Sequence, residues 1–441
     1  MQHIKSIFFQ YRGLSRAAYI LFLGRMITNM GAFIWPLLTL ILSQKIGLSA
    51  SESAYATTGL SIFYLIGSIA GGKLADHFNR KKIIIVFDII STVFFISCAF
   101  IQPGFWMILL FGLAGLFASM EGPAYDALVA DATKPAEREK VYSLSYLGHN
   151  LGYMFGAAIG GLLFNNYLSL AFIFDGLTTI SSTLLIILFV FPIAKETLAG
   201  DEINEYENDI APETTAFALM KKRPPLLFFL PAVALSAFVY SQWGFSLPLY
   251  TSYVFGENGP AYYGFLSSFN AFVVILFTPI FTYLLHRLPG LLKAVLGVSL
   301  YSASFLLILG GPPYFVFFLM IFIFTAGEII NTIGNSPYIS RRVPSSHRGR
   351  LSAIIGIGYG VGATTSRLII GRIIDRFSYL LAFSAIIGTG LAAVLLLLFV
   401  YRLDKKYFPR LYENLPGTEK LSLSDDKTPK KGSSNERKKI Y

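Results

Sequence analysis

Long apolar runs separated by short polar connectors dominate the chain. A membrane-spanning helix needs about 20 predominantly apolar residues. On that measure twelve runs qualify, at 17–43, 53–75, 83–101, 105–129, 141–164, 168–192, 226–254, 261–286, 292–311, 314–340, 351–375 and 378–402. Spans 4, 10 and 11 contain charged residues but keep the length and flanks of a spanning helix. The longest internal polar stretch, 193–225, divides the runs six and six. The pattern predicts an all-α integral membrane protein of twelve transmembrane helices: an N-terminal six-helix bundle over 1–192, a cytoplasmic linker over 193–225, a C-terminal six-helix bundle over 226–403, and a disordered basic tail over 404–441.

Composition and charge fit that architecture. The 441 residues are 54% hydrophobic and 14% charged, where soluble domains carry about 25% charged residues. Mean hydropathy is +0.60. A single cysteine, Cys98, excludes a disulfide framework and a cysteine-based metal site. Lys5, Arg12 and Arg16 lead into an apolar run too long for the core of a cleavable signal. Assigning alternate loops to the cytoplasm, beginning with the N-terminus, collects nearly all of the 36 Lys and Arg on that side. Lys45, Arg372 and Arg376 fall opposite, and Arg25 and Arg367 lie within spans. Both termini are then expected in the cytoplasm, with the chain multi-pass in the plasma membrane. The net charge of +11 follows from this asymmetry and from attraction to anionic membrane lipids, and is not a nucleic-acid signal.

Between spans 2 and 3 the chain reads Gly72-Lys73-Leu74-Ala75-Asp76-His77-Phe78-Asn79-Arg80-Lys81-Lys82. This resembles the signature loop of the major facilitator superfamily, G-x-L-a-D-r-x-G-r-k. Asn79 stands where the second Gly is expected, a position Asn tolerates if the backbone is left-handed. Span 5 carries Gly148, Gly152, Gly156 and Gly160-Gly161, similar to the antiporter motif of helix 5, with Ala157 in place of its Pro. Close helix packing on a smooth glycine face explains the same spacing equally well. Residues 130–138 resemble the family's loop after helix 4. These likenesses imply two bundles rocking by alternating access, in a monomer without a cofactor and of bacterial type. They also imply a conformational gate of Gly72, Asp76, Arg80 and Asp131, in which Asp131 meets Arg80. Asp76 would face the N-terminal dipole of helix 11 when the inner side is shut.

Ionisable groups at membrane depth are costly and point to function. Glu328 lies roughly 20 Å into span 10 at 1.5 Å per residue, and Asn331 and Asn335 share its face. It is the candidate proton carrier, with a structural carboxyl as the alternative. Arg25 and Glu121 sit at similar depths, roughly 12 and 13 Å from the inner boundary. They are expected to form a buried pair, either switching or static, with Asp126 nearer the inner end. Phe111 occupies the place of the Arg usual in the family's helix 4. Arg367 has no evident mate, Glu328 being one possibility. Asp88 and His149-Asn150 read as packing or interhelix polar groups.

Aromatic residues are abundant, with 40 Phe, 25 Tyr and 3 Trp. Trp35, Tyr240, Gln242 and Trp243 fall on spans that line the family's cavity, a mixture suited to amphipathic or cationic organic molecules. No P-loop, nucleophile constellation, metal-ligand cluster or dinucleotide fingerprint is present, so no enzyme activity is expected. The expected partners are a small-molecule substrate, protons and membrane lipids. The leading reading is a secondary active transporter of the drug:proton antiporter branch. A proton-coupled symporter of peptides or other solutes and a lipid or glycolipid flippase are alternatives, although span 1 lacks the E-x-x-E-R of peptide symporters. A non-transporting receptor or scaffold is the reading from a different class.

Overall fold

A computed structural model describes residues 11–134, 137–191, 215–309, 312–335, 338–339, 341–343 and 345–413. Twelve long helices carry the fold. They are α1 (Arg16–Gly31, Ile34–Leu40 and a π-helical turn Ile41–Lys45), α2 (Ala50–His77), α3 (Arg80–Cys98), α4 (Phe105–Asp131), α5 (Arg138–Leu163) and α6 (Leu168–Phe189). The second half holds α7 (Pro224–Tyr240, a 3-10 turn Ser241–Trp243 and Ser246–Phe255), α8 (Gly259–Leu284), α9 (Gly290–Ser304), α10 (Tyr314–Asn335), α11 (Ser345–Arg376) and α12 (Tyr379–Tyr407). Among the described residues, nine segments are long and apolar enough to cross a membrane. One of these, Pro224–Leu284, contains both α7 and α8. The two helices outside the nine are α3, which opens on Arg80-Lys81-Lys82 and holds Asp88, and α5, whose face is Gly, Ser, Tyr, His and Asn.

The two halves repeat one packing scheme. Helix α1 packs on α5 and α6, α3 on α4 and α6, and α2 on α4; six helices later, α7 packs on α11 and α12, α9 on α10 and α12, and α8 on α10. That is a parallel repeat of six helices. Helices α5·α8 and α2·α11 join the two bundles.

Glycine makes the tightest contacts possible. A Cβ on Gly148, Gly152 or Gly156 would lie 2.7, 2.3 or 2.6 Å from a backbone oxygen of α1, so α5 lies directly on the α1 backbone. Gly297 and Gly327 meet in the same way between α9 and α10.

The loops α2–α3, α4–α5 and α10–α11 mark one end of the molecule, called here the basic end; the α1–α2 and α11–α12 loops mark the far end. Hydrogen bonds joining the bundles gather toward the far end. Thr39 Oγ1 donates to Gly244 O at 2.7 Å, Asn165 Nδ2 to Glu257 O at 2.7 Å, and Arg372 to the Tyr55 hydroxyl at 2.6 Å. At the basic end Gly72 and Gly349 face open space.

Two expectations about connecting segments need correction. The linker was expected to run through 225, yet α7 starts at Pro224, and within the linker Ala216–Lys222 is a helix with Leu219 and Met220 buried. The tail was expected to begin at 404, yet α12 runs to Tyr407 and Asp404 is wholly buried. Arg342 Nε and Nη2 donate to the two Asp404 carboxylate oxygens at 2.7 and 2.5 Å, and the Tyr412 hydroxyl donates to Asp404 Oδ2 at 2.5 Å. A buried carboxylate with those partners fixes the chain beyond the membrane helix. Residues 192–214 and 414–441 lie outside the described residues.

Candidate functional site

Glu328 occupies the wall of a cavity in the C-terminal bundle. The Tyr240 hydroxyl donates to its Oε1 at 2.7 Å, and Asn270 Nδ2 donates to its Oε2 at 3.1 Å and to Thr325 Oγ1 at 2.8 Å. Both carboxylate oxygens therefore have a partner, from α7 and α8, while the residue stays only half-buried. Val233, Tyr240, Tyr301, Asn331, Asn335 and Tyr359 complete this cavity of about 200 Å³. A larger space of about 610 Å³ continues from it toward the basic end and shares Val233, Asn331, Thr332, Asn335 and Tyr359. The predicted stripe of Glu328, Asn331 and Asn335 thus lines one continuous wall, with Asn335 Nδ2 donating to Asn331 Oδ1 at 2.9 Å. Asn270 escaped the sequence reading because a lone amide on an apolar helix carries no pattern.

The aromatic set divides. Tyr240 stacks on Phe324 with ring centroids 5.7 Å apart, and Trp243 stacks on the same ring at 5.6 Å. Trp35 is 42% exposed and meets Tyr64 and Phe95 edge-on. Gln242 does not line the cavity. It is wholly buried, its Nε2 donating to Phe238 O at 3.3 Å while its Oε1 has no partner among the described residues. Two residues beyond Tyr240 a helix has turned by about 200°, which carries Gln242 to the opposite side.

A second polar group lies in the N-terminal bundle. Arg25 lies over the Tyr125 ring, 4.0 Å from guanidinium carbon to centroid, and the Tyr125 hydroxyl donates to Leu21 O at 3.0 Å. Glu121, Asp126 and Asp88 lie near enough to act on Arg25 electrostatically. The direct ion pair expected between Arg25 and Glu121 is not formed among the described residues, because Tyr125, one turn beyond Glu121, takes the guanidinium. Asp88 accepts a 2.5 Å hydrogen bond from Thr183 Oγ1 and joins this group, although the sequence reading set it aside. Arg367 does not meet Glu328; its Nη1 donates to Ser61 Oγ across the bundle interface at 3.4 Å.

Helix α5 has two faces. Beside its glycine stripe, Tyr142, Tyr146 and His149 are exposed, and His149 stacks on Tyr153 at 6.3 Å. Tyr146 and Tyr153 lie within electrostatic reach of Glu328, so this aromatic face looks across at the acidic wall. The ring contact of His149 is thus within its own helix, where its sequence context suggested an interhelix contact. Asn150 bonds within its own helix, to Tyr146 O at 2.9 Å.

A sequence model of the Major Facilitator Superfamily matches residues 20–364. The chain belongs to this superfamily. As a member it is a membrane transporter. It is 22% identical over 358 residues to a Na(+), Li(+), K(+)/H(+) antiporter of Planococcus maritimus, covering 75% of this chain and 82% of that protein. It is also 31% identical over 156 residues to the multidrug resistance protein MdtH of Yersinia enterocolitica, covering 35% of this chain and 38% of that protein. Among solved structures, a peptide transporter POT in complex with sulfate superposes with a TM-score of 0.70 at 16% identity, covering 91% of this chain and 96% of that one. At that identity the likeness concerns the fold alone.

The superfamily signature loop has a defined geometry here. Arg80 forms an ion pair with Asp131 and donates to Ala127 O at 3.3 Å, bracing α3 against α4. Asn79 is not left-handed as its position suggested. Its φ is −64° and its side chain caps α3, accepting from Lys82 N at 3.2 Å. Asp76 is exposed, so its expected approach to α11 is not made with the basic end open.

Proposed function

We propose that this transporter exchanges protons for amphipathic or cationic organic molecules, with Glu328 as the group that alternates between proton and substrate. The observation that carries this reading is the half-buried Glu328 carboxylate, held at both oxygens and facing a tyrosine-lined cavity. A carboxylate among aromatic rings attracts a cation by charge and by ring quadrupole. Neutralised by a proton, it loses the first attraction, which makes proton and cation competitors for one site. The basic end faces the cytoplasm in this reading, so the open cavity is the loading side for export. Arg25, Glu121 and Asp126 form the corresponding polar group of the other bundle. The carboxylates of peptide symporters are missing from α1, which disfavours that alternative.

A second reading, exchange of a monovalent metal cation for protons, is favoured by the oxygen atoms around Glu328 and by the activity named for the Planococcus relative. Proteoliposomes with an acidic lumen and an internal pH dye separate the two. Tetraphenylphosphonium or ethidium is expected to alkalinise the lumen, and the Glu328→Gln variant to remove the response. Alkalinisation by Na⁺, Li⁺ or K⁺ alone selects the second reading. Proton movement with dipeptides but with no cation defeats both.

A further inference from the structure

The signature on α2 has an echo of equal spacing on its partner across the bundle interface. Gly72-Lys73-Leu74-Ala75-Asp76 closes α2 at the basic end, and Gly371-Arg372-Ile373-Ile374-Asp375 closes α11 at the far end. Each is Gly, a basic residue, two apolar residues and Asp, so Gly and Asp stand one helical turn apart on one face. Because α2 and α11 run antiparallel, each motif lies beside the first turn of the other helix.

At the far end the motif is engaged. Asp375 Oδ1 accepts from Ala50 N at 3.0 Å and Oδ2 from Ser51 N at 2.8 Å, with a further bond from the Ser51 hydroxyl. Those are two of the amides a helix start leaves without an internal partner. The next amide, Glu52 N, is served locally by Ser49 Oγ at 3.2 Å. The α2 capping box is thus completed by a carboxylate from the other bundle. Gly371 makes the approach possible, since a Cβ there would lie 2.8 Å from Ala50 O. At the basic end the same motif is disengaged. Gly72 has nothing within 4 Å, Gly349 near the start of α11 has nothing within 4 Å, and Asp76 is exposed.

We infer that Asp375 is a positioning residue of the transport cycle, a far-end latch that caps α2 and holds the basic-end-open state. It is the counterpart of the Asp76 latch at the other end, so each conformation engages one motif and frees the other. The inference rests on the reading that the bundles rock, and its test does not depend on the substrate.

Spin-label distances in the full chain in nanodiscs test it, with Cys98 replaced by Ser and labels on cysteines introduced at Phe100 and Glu257 (far end) and at Lys134 and Arg287 (basic end). Asp375→Asn is expected to lengthen the far-end distance and shorten the basic-end one, shifting the populations about tenfold, the scale of losing a helix cap. Asp76→Asn is expected to leave the far end closed or tighten it further. Gly371→Ala breaks the same contact sterically and should shift populations as Asp375→Asn does, which keeps the test open if one variant folds poorly. The inference is overturned if Asp375→Asn and Gly371→Ala leave both distances unchanged, or if the variants at the two ends shift them in the same direction. Loss of organic-cation transport with these shifts intact would count against the proposed substrate and not against the latch.

Discussion

The Tyr240 hydroxyl and Glu328 Oε1 are 2.7 Å apart, joining α7 to α10 in the wall of the smaller cavity. A hydrogen bond to a charged group contributes about 1.5–3 kcal/mol. Tyr240→Phe should therefore lower proton-coupled transport about tenfold or more. Tyr301→Phe should stay within about twofold, because the Tyr301 hydroxyl donates to Ser236 O and not to Glu328. Initial rates of lumen alkalinisation in matched proteoliposomes check the pair.

Arg25 is the cation among three carboxylates. Arg25→Met leaves Glu121, Asp126 and Asp88 without it and should cost about 1–2 kcal/mol, the scale of its ring contact and of half-exposed charges, read as a lower melting temperature in detergent. Adding Glu121→Gln should restore part of the loss, since neighbouring charges couple. Additive losses would show that Arg25 and Glu121 act independently.

Backbone contact on α5 sets a third expectation. Gly152→Ala puts a Cβ 2.3 Å from Met26 O and should destabilise the protein by about 1–3 kcal/mol. Gly122→Ala, with nothing within 4 Å, serves as the control and should leave the melting temperature almost unchanged.

Beyond the membrane helices, burial alone would lower the Arg342 pKa, but its bonds to Asp404 outweigh burial and raise it. Arg342 therefore stays charged at any working pH, and removing its partner strands a buried cation. Asp404→Ala should cost about 3–5 kcal/mol and expose the Phe408–Tyr412 segment to limited proteolysis. The conservative Arg342→Lys keeps the charge but loses the two-pronged contact, and should fall between wild type and Asp404→Ala.

The twelve helices were legible because bilayer thickness fixes helix length and the polar breaks are clear. The Glu328–Asn331–Asn335 wall was legible because helical periodicity puts the three on one face. Contacts between distant segments left no such trace. Nothing near Asn270 announces that it reaches Glu328, 58 residues away. Asp88 reads as an isolated polar residue until α6 brings Thr183 to it. Gln242 was grouped with its aromatic neighbours by adjacency, where rotation about the helix axis separates it from Tyr240. The glycine spacing of α5 announced a close approach but not its partner, which is the α1 backbone.

Fastening α5 to α1 has a mechanical result. In the proposed rocking motion Tyr146 and Tyr153 stay with the N-terminal bundle, and Glu328 stays with the C-terminal one. A ligand held by ring on one side and carboxylate on the other is gripped by a vice whose jaws belong to different halves. Affinity then changes with the angle between the halves, so release follows from opening itself.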